Sequence, residues 1–179
     1  MKTFPYISVL FVLFFISCSS DDNSNLIATE NLAGTWNLQS FENKINTTIN
    51  FLGVPVASNT DAIGEDIQMQ ITFSENPNIV VSQGSYTLVV TTTILTKTET
   101  QEFATNDAVL AGSWSLSGKE VTITNNDPDV DEEFRNITYK IIELSQSRLQ
   151  LIANFTTTQI IEGNEADLKI RSELVMTKP

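Results

Sequence analysis

Strict alternation of apolar and polar residues is the feature that most constrains this chain. Ile67, Met69, Ile71 and Phe73 alternate with Gln68, Gln70 and Thr72. Val121 and Ile123 alternate with Glu120, Thr122 and Thr124. The pattern returns at Leu149, Leu151, Ala153 and Phe155, and again at Leu168, Ile170, Leu174 and Met176. A period of two with one apolar face marks strands of an antiparallel sheet that covers a core on one side. The threonine runs 91–93 and 156–158 suit strands better than helices, because a β-branched side chain packs well on a pleated surface.

Turn residues divide these runs. Gly118-Lys119 reads as a two-residue hairpin loop, and Glu75-Asn76-Pro77-Asn78, Ser145-Gln146-Ser147 and Gly163-Asn164 read as further reversals. Gly84 interrupts a long run and reads as a bulge or a barrel corner. Eight to ten short strands with local connections close most simply into an up-and-down barrel, which removes exposed sheet edges. The expected fold is therefore all-β, a single antiparallel barrel of about eight strands, with a β-sandwich as the alternative. Asn43 to Asp66 fits the pattern least. Its Asn, Gly and Pro residues suit a loop, while Ile49, Phe51, Leu52, Val54 and Val56 ask for burial. It reads either as a loop across the barrel mouth or as an edge strand with a bend.

The N-terminus carries an address. Lys2 is followed by an apolar run from Phe4 to Ile16, long enough for a signal-peptide core and too short to span a bilayer. Ser17 and the single cysteine, Cys18, follow it. This stretch resembles a lipoprotein box, with Phe15 and Ile16 where leucine and a small residue are more usual. The resemblance implies a signal peptide over 1–17, lipidation of Cys18 and anchoring to a membrane through its acyl chains. Ser19-Ser20-Asp21-Asp22 resembles the export tag of Gram-negative lipoproteins displayed on the outer face of the outer membrane. An acidic flexible tether over 18–31 then leads to a folded domain over 32–179.

Composition removes several classes of function. Loss of Lys2 with the signal takes the net charge from −12 to −13, which argues against nucleic acid and anionic membrane surfaces as partners. The chain has no histidine, so the commonest general base and the Ser-His and Cys-His pairs are absent. With Cys18 lipidated, no thiol remains for disulfides or zinc. No cofactor is expected. Paired carboxylates could in principle hydrolyse glycosides, but no pair stands out. Asp127, Asp129 and Asp131 have the alternate spacing of the first ligands of a calcium loop. Glu132 then stands where an EF-hand needs glycine, and Thr138 where it needs a bidentate glutamate. The plainer reading is a solvated loop.

Two copies of one motif carry a second resemblance. Leu32-Ala33-Gly34-Thr35-Trp36-Asn37-Leu38 resembles the Gly-x-Trp opening of lipocalin-like proteins, and Leu110-Ala111-Gly112-Ser113-Trp114-Ser115-Leu116 repeats it. The hairpin 117–123 and the ending Glu173-Leu174-Val175-Met176-Thr177-Lys178 are similar to the middle and last strand of bacterial lipocalin-like lipoproteins. The resemblance implies a barrel whose first tryptophan plugs the closed end. No arginine motif to pack over Trp36 is recognisable. Trp36 and Trp114 are expected to be core residues rather than ligand contacts.

A non-enzymatic binding module follows as the first expectation, holding a small apolar or amphipathic ligand in the barrel. Met69, Ile71, Phe73, Tyr86, Leu88, Val90, Leu151 and Phe155 are the candidate inward residues. They could instead pack solid, as in many small barrels. The second expectation is a structural or accessory subunit of an outer-membrane protein assembly.

Overall fold

A computed structural model of the chain describes residues 29–179. The signal segment and Cys18 lie outside the described residues, as does the tether up to residue 28. A short helix α1 (Thr29–Leu32) leads into nine antiparallel strands. These are β1 (Gly34–Phe51), β2 (Val54–Ser74), β3 (Ile79–Ile94), β4 (Lys97–Thr105), β5 (Gly112–Ser117), β6 (Glu120–Thr124), β7 (Asn136–Leu144), β8 (Arg148–Ile161) and β9 (Asn164–Thr177). A second short helix, α2 (Glu132–Arg135), precedes β7.

Eight strands form a ring. The order β2-β1-β9-β8-β7-β6-β5-β3 closes through the pairing of β2 with β3, and among the described residues β4 is hydrogen-bonded only to β3, outside the ring. The expected barrel is therefore present, with one strand added. Its walls are unequal, because β5 and β6 have 6 and 5 residues while β1 and β2 have 18 and 21. The strands are thus not uniformly short. Past the low wall of β5, β6 and β7, the upper parts of the other strands continue as an open sheet of order β4-β3-β2-β1-β9-β8.

The segment 43–66 is neither a loop nor an edge strand with a bend. It is the upper part of a β1–β2 hairpin, paired from Glu42↔Ile63 to Phe51↔Val54. Two irregularities hide its alternation. Trp36 and Leu38 are buried on even positions, but register shifts on both sides of Gln39 move the inward set to Phe41, Asn43, Ile45, Thr47 and Ile49. On β2 the inward set is even through Ala62 and odd from Ile67, with the break at Asp66 at φ 48°. One extra residue flips every following side chain to the other face, so a fixed period of two fails across each bulge.

The expected turns form at Gly118-Lys119, residues 75–78 and residues 145–147, while the last one is Glu162-Gly163, one residue before the expected Gly163-Asn164, whose Asn164 opens β9. Gly84 sits where β3 crosses the break in β2. A Cβ there would lie 2.0 Å from the Gln68 carbonyl oxygen, and its φ is +136°. Glycine alone lets the two backbones approach this closely.

The closed half of the barrel is filled. Trp36, Ile71, Phe73, Val80, Val121, Leu149, Leu151, Leu174 and Met176 are all at most 1% exposed. The paired motifs explain this end. Gly34 is opposite Phe73, Phe73 is opposite Val80, and Val80 is opposite Gly112. Both Gly-x-Trp sequences therefore begin on one rung of the sheet, at the same rim. Gly34 and Gly112 also share one backbone conformation, φ +120° and +123°. Each indole N–H finds a carbonyl: Trp36 Nε1 donates to Leu32 O at 2.9 Å, and Trp114 Nε1 donates to Ser74 O at 3.0 Å. Phe73 packs edge-on to Trp114 with ring centres 6.0 Å apart. Both tryptophans bury a large apolar body while satisfying their one donor.

Candidate functional site: the inner face of the tall wall

The geometry divides the eight inward candidates in two. Met69, Ile71, Phe73, Tyr86 and Leu151 are 0–8% exposed and belong to the packed core of the closed half. Tyr86 meets Phe41 edge to face at 5.9 Å. Leu88, Val90 and Phe155 lie higher and are only partly buried.

Those three belong to the inner face of the open sheet. Its rungs follow from register. Val90 is beside Ala62, then Asn43, Ser172 and Ala153. One rung higher, Thr92, Thr60, Ile45, Ile170 and Phe155 lie side by side. Above them come Ser58, Thr47, Leu168 and Thr157, then Val56, Ile49 and Ala166. Ala166, Leu168 and Ile170 form a second apolar cluster with Ile45, Ile49, Phe134, Phe155 and Ile161. The opposite face of the same strands carries Lys44, Asn46, Thr48, Asn59, Asp61, Thr91 and Thr93, all on alternate positions.

A polar rung separates this face from the filled core. Asn43 Oδ1 is buried with no hydrogen-bond partner among the described residues. Ser172, 5% exposed, is its neighbour on β9. Tyr139, 4% exposed, has the Ser172 side chain as its polar neighbour. Burial pushes the Tyr139 hydroxyl above its usual value of 10.0, and the polar Ser172 side chain opposes that shift. Tyr86 is raised too, by burial first and by the charge of Asp107 second. Ala62 and Ala153, both buried, flank Asn43 and Ser172 on this rung.

The acidic loop borders the second apolar cluster through Phe134. Its turns are internal: Asn125 Oδ1 accepts from Asp127 N, and Asp127 Oδ1 accepts from Asp129 N, each at 2.9 Å. Arg135 closes the loop by donating to Val130 O at 2.9 Å and Pro128 O at 3.0 Å. Among the described residues no three His, Cys, Asp or Glu side chains come together as a metal site. Asp127, Asp129 and Asp131 thus share a loop without converging on one ion. What the loop does position is Phe134, whose ring meets Phe155 edge-on at 6.1 Å. Neither Phe134 nor Arg135 was legible as a site residue. Both lie beside a conspicuous acidic run, and only the chain reversal at Asn125, whose N–H bonds Arg135 O at 2.7 Å, shows their role. A cavity of about 60 Å³ lies under this loop, lined by Leu110, Ile123, Phe134 and Tyr139 among others.

Among the described residues no helix is long and apolar enough to cross a membrane. Neither curated proteins nor solved structures give a match to this chain. A family model described as a lipocalin-like domain matches residues 32–151. That span runs from the leucine ahead of the first Gly-x-Trp to the core residue Leu151 on β8, and contains both tryptophan motifs. Members of this family are in general non-enzymatic binding proteins. The match covers well over half of the 179 residues, and the ring of eight strands agrees with it, so the chain belongs to the lipocalin-like domain family.

Proposed function

We propose that this protein is a lipoprotein anchored through Cys18 to the outer membrane of a Gram-negative bacterium, facing the cell exterior. Its lipocalin-like domain holds a small apolar or amphipathic molecule without covalent chemistry and without a cofactor. The observation that carries this reading is the division of the interior. The closed half is packed, whereas Ile45, Leu88, Val90 and Phe155 on the inner face of the tall wall are only partly buried. A ligand would cover these side chains and rest on Leu168 and Ile170. Met69, Ile71, Phe73, Tyr86 and Leu151 would support it from below.

The test uses N-phenyl-1-naphthylamine, an uncharged apolar probe, on residues 19–179, which hold all nine strands and both apolar clusters. Saturable fluorescence enhancement that Val90→Asp and Phe155→Asp abolish is the expected result. Enhancement that does not saturate, or that survives both changes, would end the reading. The anchor is tested separately by metabolic labelling with palmitate, which Cys18→Ser should eliminate.

A second reading, an accessory subunit of a cell-surface protein complex, is favoured by the hairpin tips. Leu52 is 88% exposed and Leu95 is 81% exposed, each at positive φ (51° and 57°). A bulky residue is rare in that conformation. Two hairpins at the same end of the sheet nevertheless present leucine there. Strain held at an exposed apolar position is a reason to look for a contact.

A further inference from the structure

We infer that the upper edge of β8 is a docking edge for the same strand of a second copy of this chain. The pairing of β7 with β8 ends at Lys140↔Ile152, where β7 follows β6 into the low wall. From Ala153 to Ile161, β8 is hydrogen-bonded to β9 on one side only, and no backbone bond from elsewhere reaches it among the described residues. Nine residues of extended backbone thus offer alternate N–H and C=O groups to a partner strand.

The opposite edge of the same sheet is the internal comparison. β4 is also nine residues long and also paired on one side, but it carries Lys97, Glu99 and Glu102. Charges on an edge strand discourage pairing with another chain. The β8 edge, Ala153-Asn154-Phe155-Thr156-Thr157-Thr158-Gln159-Ile160-Ile161, carries none. Its Ile160 is 72% exposed.

Charge selects the occupant. The chain has 22 acidic against 10 basic residues, so two copies repel at most of their surface. A basic partner would be drawn by acidic groups at its landing site. Identical acidic copies instead need a landing strand with no charge of its own, and β8 from Ala153 to Ile161 is such a strand, met by the acidic loop at its lower end through Phe134 on Phe155. Antiparallel pairing about a two-fold axis also brings threonines 156–158 against the same threonines. The sheet already uses that pairing within one chain, at Thr60–Thr92, Thr91–Thr100, Thr93–Thr98 and Thr122–Thr138, with Oγ–Oγ distances of 2.9–3.0 Å. The result is one continuous sheet of twelve strands with a closed barrel at each end.

Sedimentation velocity on residues 19–179 reads the association, against the double variant Thr158→Lys/Ile160→Lys. Each new lysine faces a carboxylate on β9, Asp167 and Glu165 respectively, so the protomer keeps its fold. The wild type is expected at twice the protomer mass, and the variant should dimerise at least roughly ten-fold more weakly. A second readout is Thr157→Cys in the lipid-anchored chain, where Cys18 is the only other cysteine. A short bis-maleimide should link it to a dimer on intact cells, while Thr100→Cys on β4 should stay monomeric. A wild type that remains monomeric up to roughly 100 µM overturns the inference. So does a dimer indifferent to the two lysines, a dimer broken instead by Leu52→Asp, or a cross-link at position 100 and not at 157.

Discussion

The ammonium of Lys178 lies 4.8 Å from the centre of the Trp36 ring, just past the end of the last strand. It also reaches Ala33 O at 3.5 Å, beside the glycine that opens β1. The cation that the sequence lacked in the form of an arginine motif is therefore a lysine. It closes the plugged end by tying the last strand to the first.

Removing that cation should be measurable. Lys178→Met is expected to lower stability by about 0.5–1 kcal/mol, the usual worth of a partly exposed cation over an aromatic face. Lys178→Arg should retain it. Urea midpoints of the two variants, at an unchanged slope, check the pair.

Glycines at the rim and in a hairpin should respond differently to the same change. A Cβ on Gly112 would lie 2.1 Å from Thr124 O, at φ +123°. Gly112→Ala should cost more than about 3 kcal/mol or prevent folding, because backbone meets backbone. Gly118 has φ +59° and nothing within 4 Å of a built Cβ. Gly118→Ala should cost only about 1 kcal/mol, the penalty for an L-residue in the left-handed region. Equal losses in thermal melts of the two would contradict this account.

The two exposed leucines should trade stability for contact. Asparagine tolerates the left-handed conformation that leucine resists, and at 52–53 it would form Asn-Gly, a favoured hairpin pair. Leu52→Asn and Leu95→Asn are each expected to stabilise the domain by a few tenths of a kcal/mol. If the tips contact another surface protein, the same variants should lose co-purification with it.

Alkaline pH should weaken the fold through Tyr139. Burial raises its folded pKa above 10.0, so the folded state holds the phenolic proton more tightly than the unfolded state. That contribution is full below pH 10 and is lost as pH rises toward the folded value. Stability should therefore fall as pH rises above the unfolded value of 10.0, and Tyr139→Phe should flatten part of that fall. Chemical denaturation at stepped pH tests it. An alkaline limb with the same slope in the variant would exclude Tyr139 as a cause.

Sequence alone determined the class of fold and much of its wiring. Where a strand keeps one face inward along its length, as at Ile67 to Phe73 or Leu149 to Phe155, burial of alternate side chains is a local property and reads directly. Hairpins at Gly118-Lys119 and residues 75–78 were legible for the same reason, since turn chemistry is local. The Gly-x-Trp copies were legible as core, because a tryptophan behind a bending glycine has few other uses in a small barrel. Tertiary structure decided what depends on two strands at once. The bulges near Gln39 and Asp66 exist only relative to β2, β9 and β3, and they hid the tall hairpin that the composition of 43–66 made look like a loop. The unequal walls, the free edge of β8 and the placement of Phe134 against Phe155 follow from where neighbouring strands stop. Period and composition along one strand do not encode where its neighbour ends, and that ending divides the packed half of this barrel from the open one.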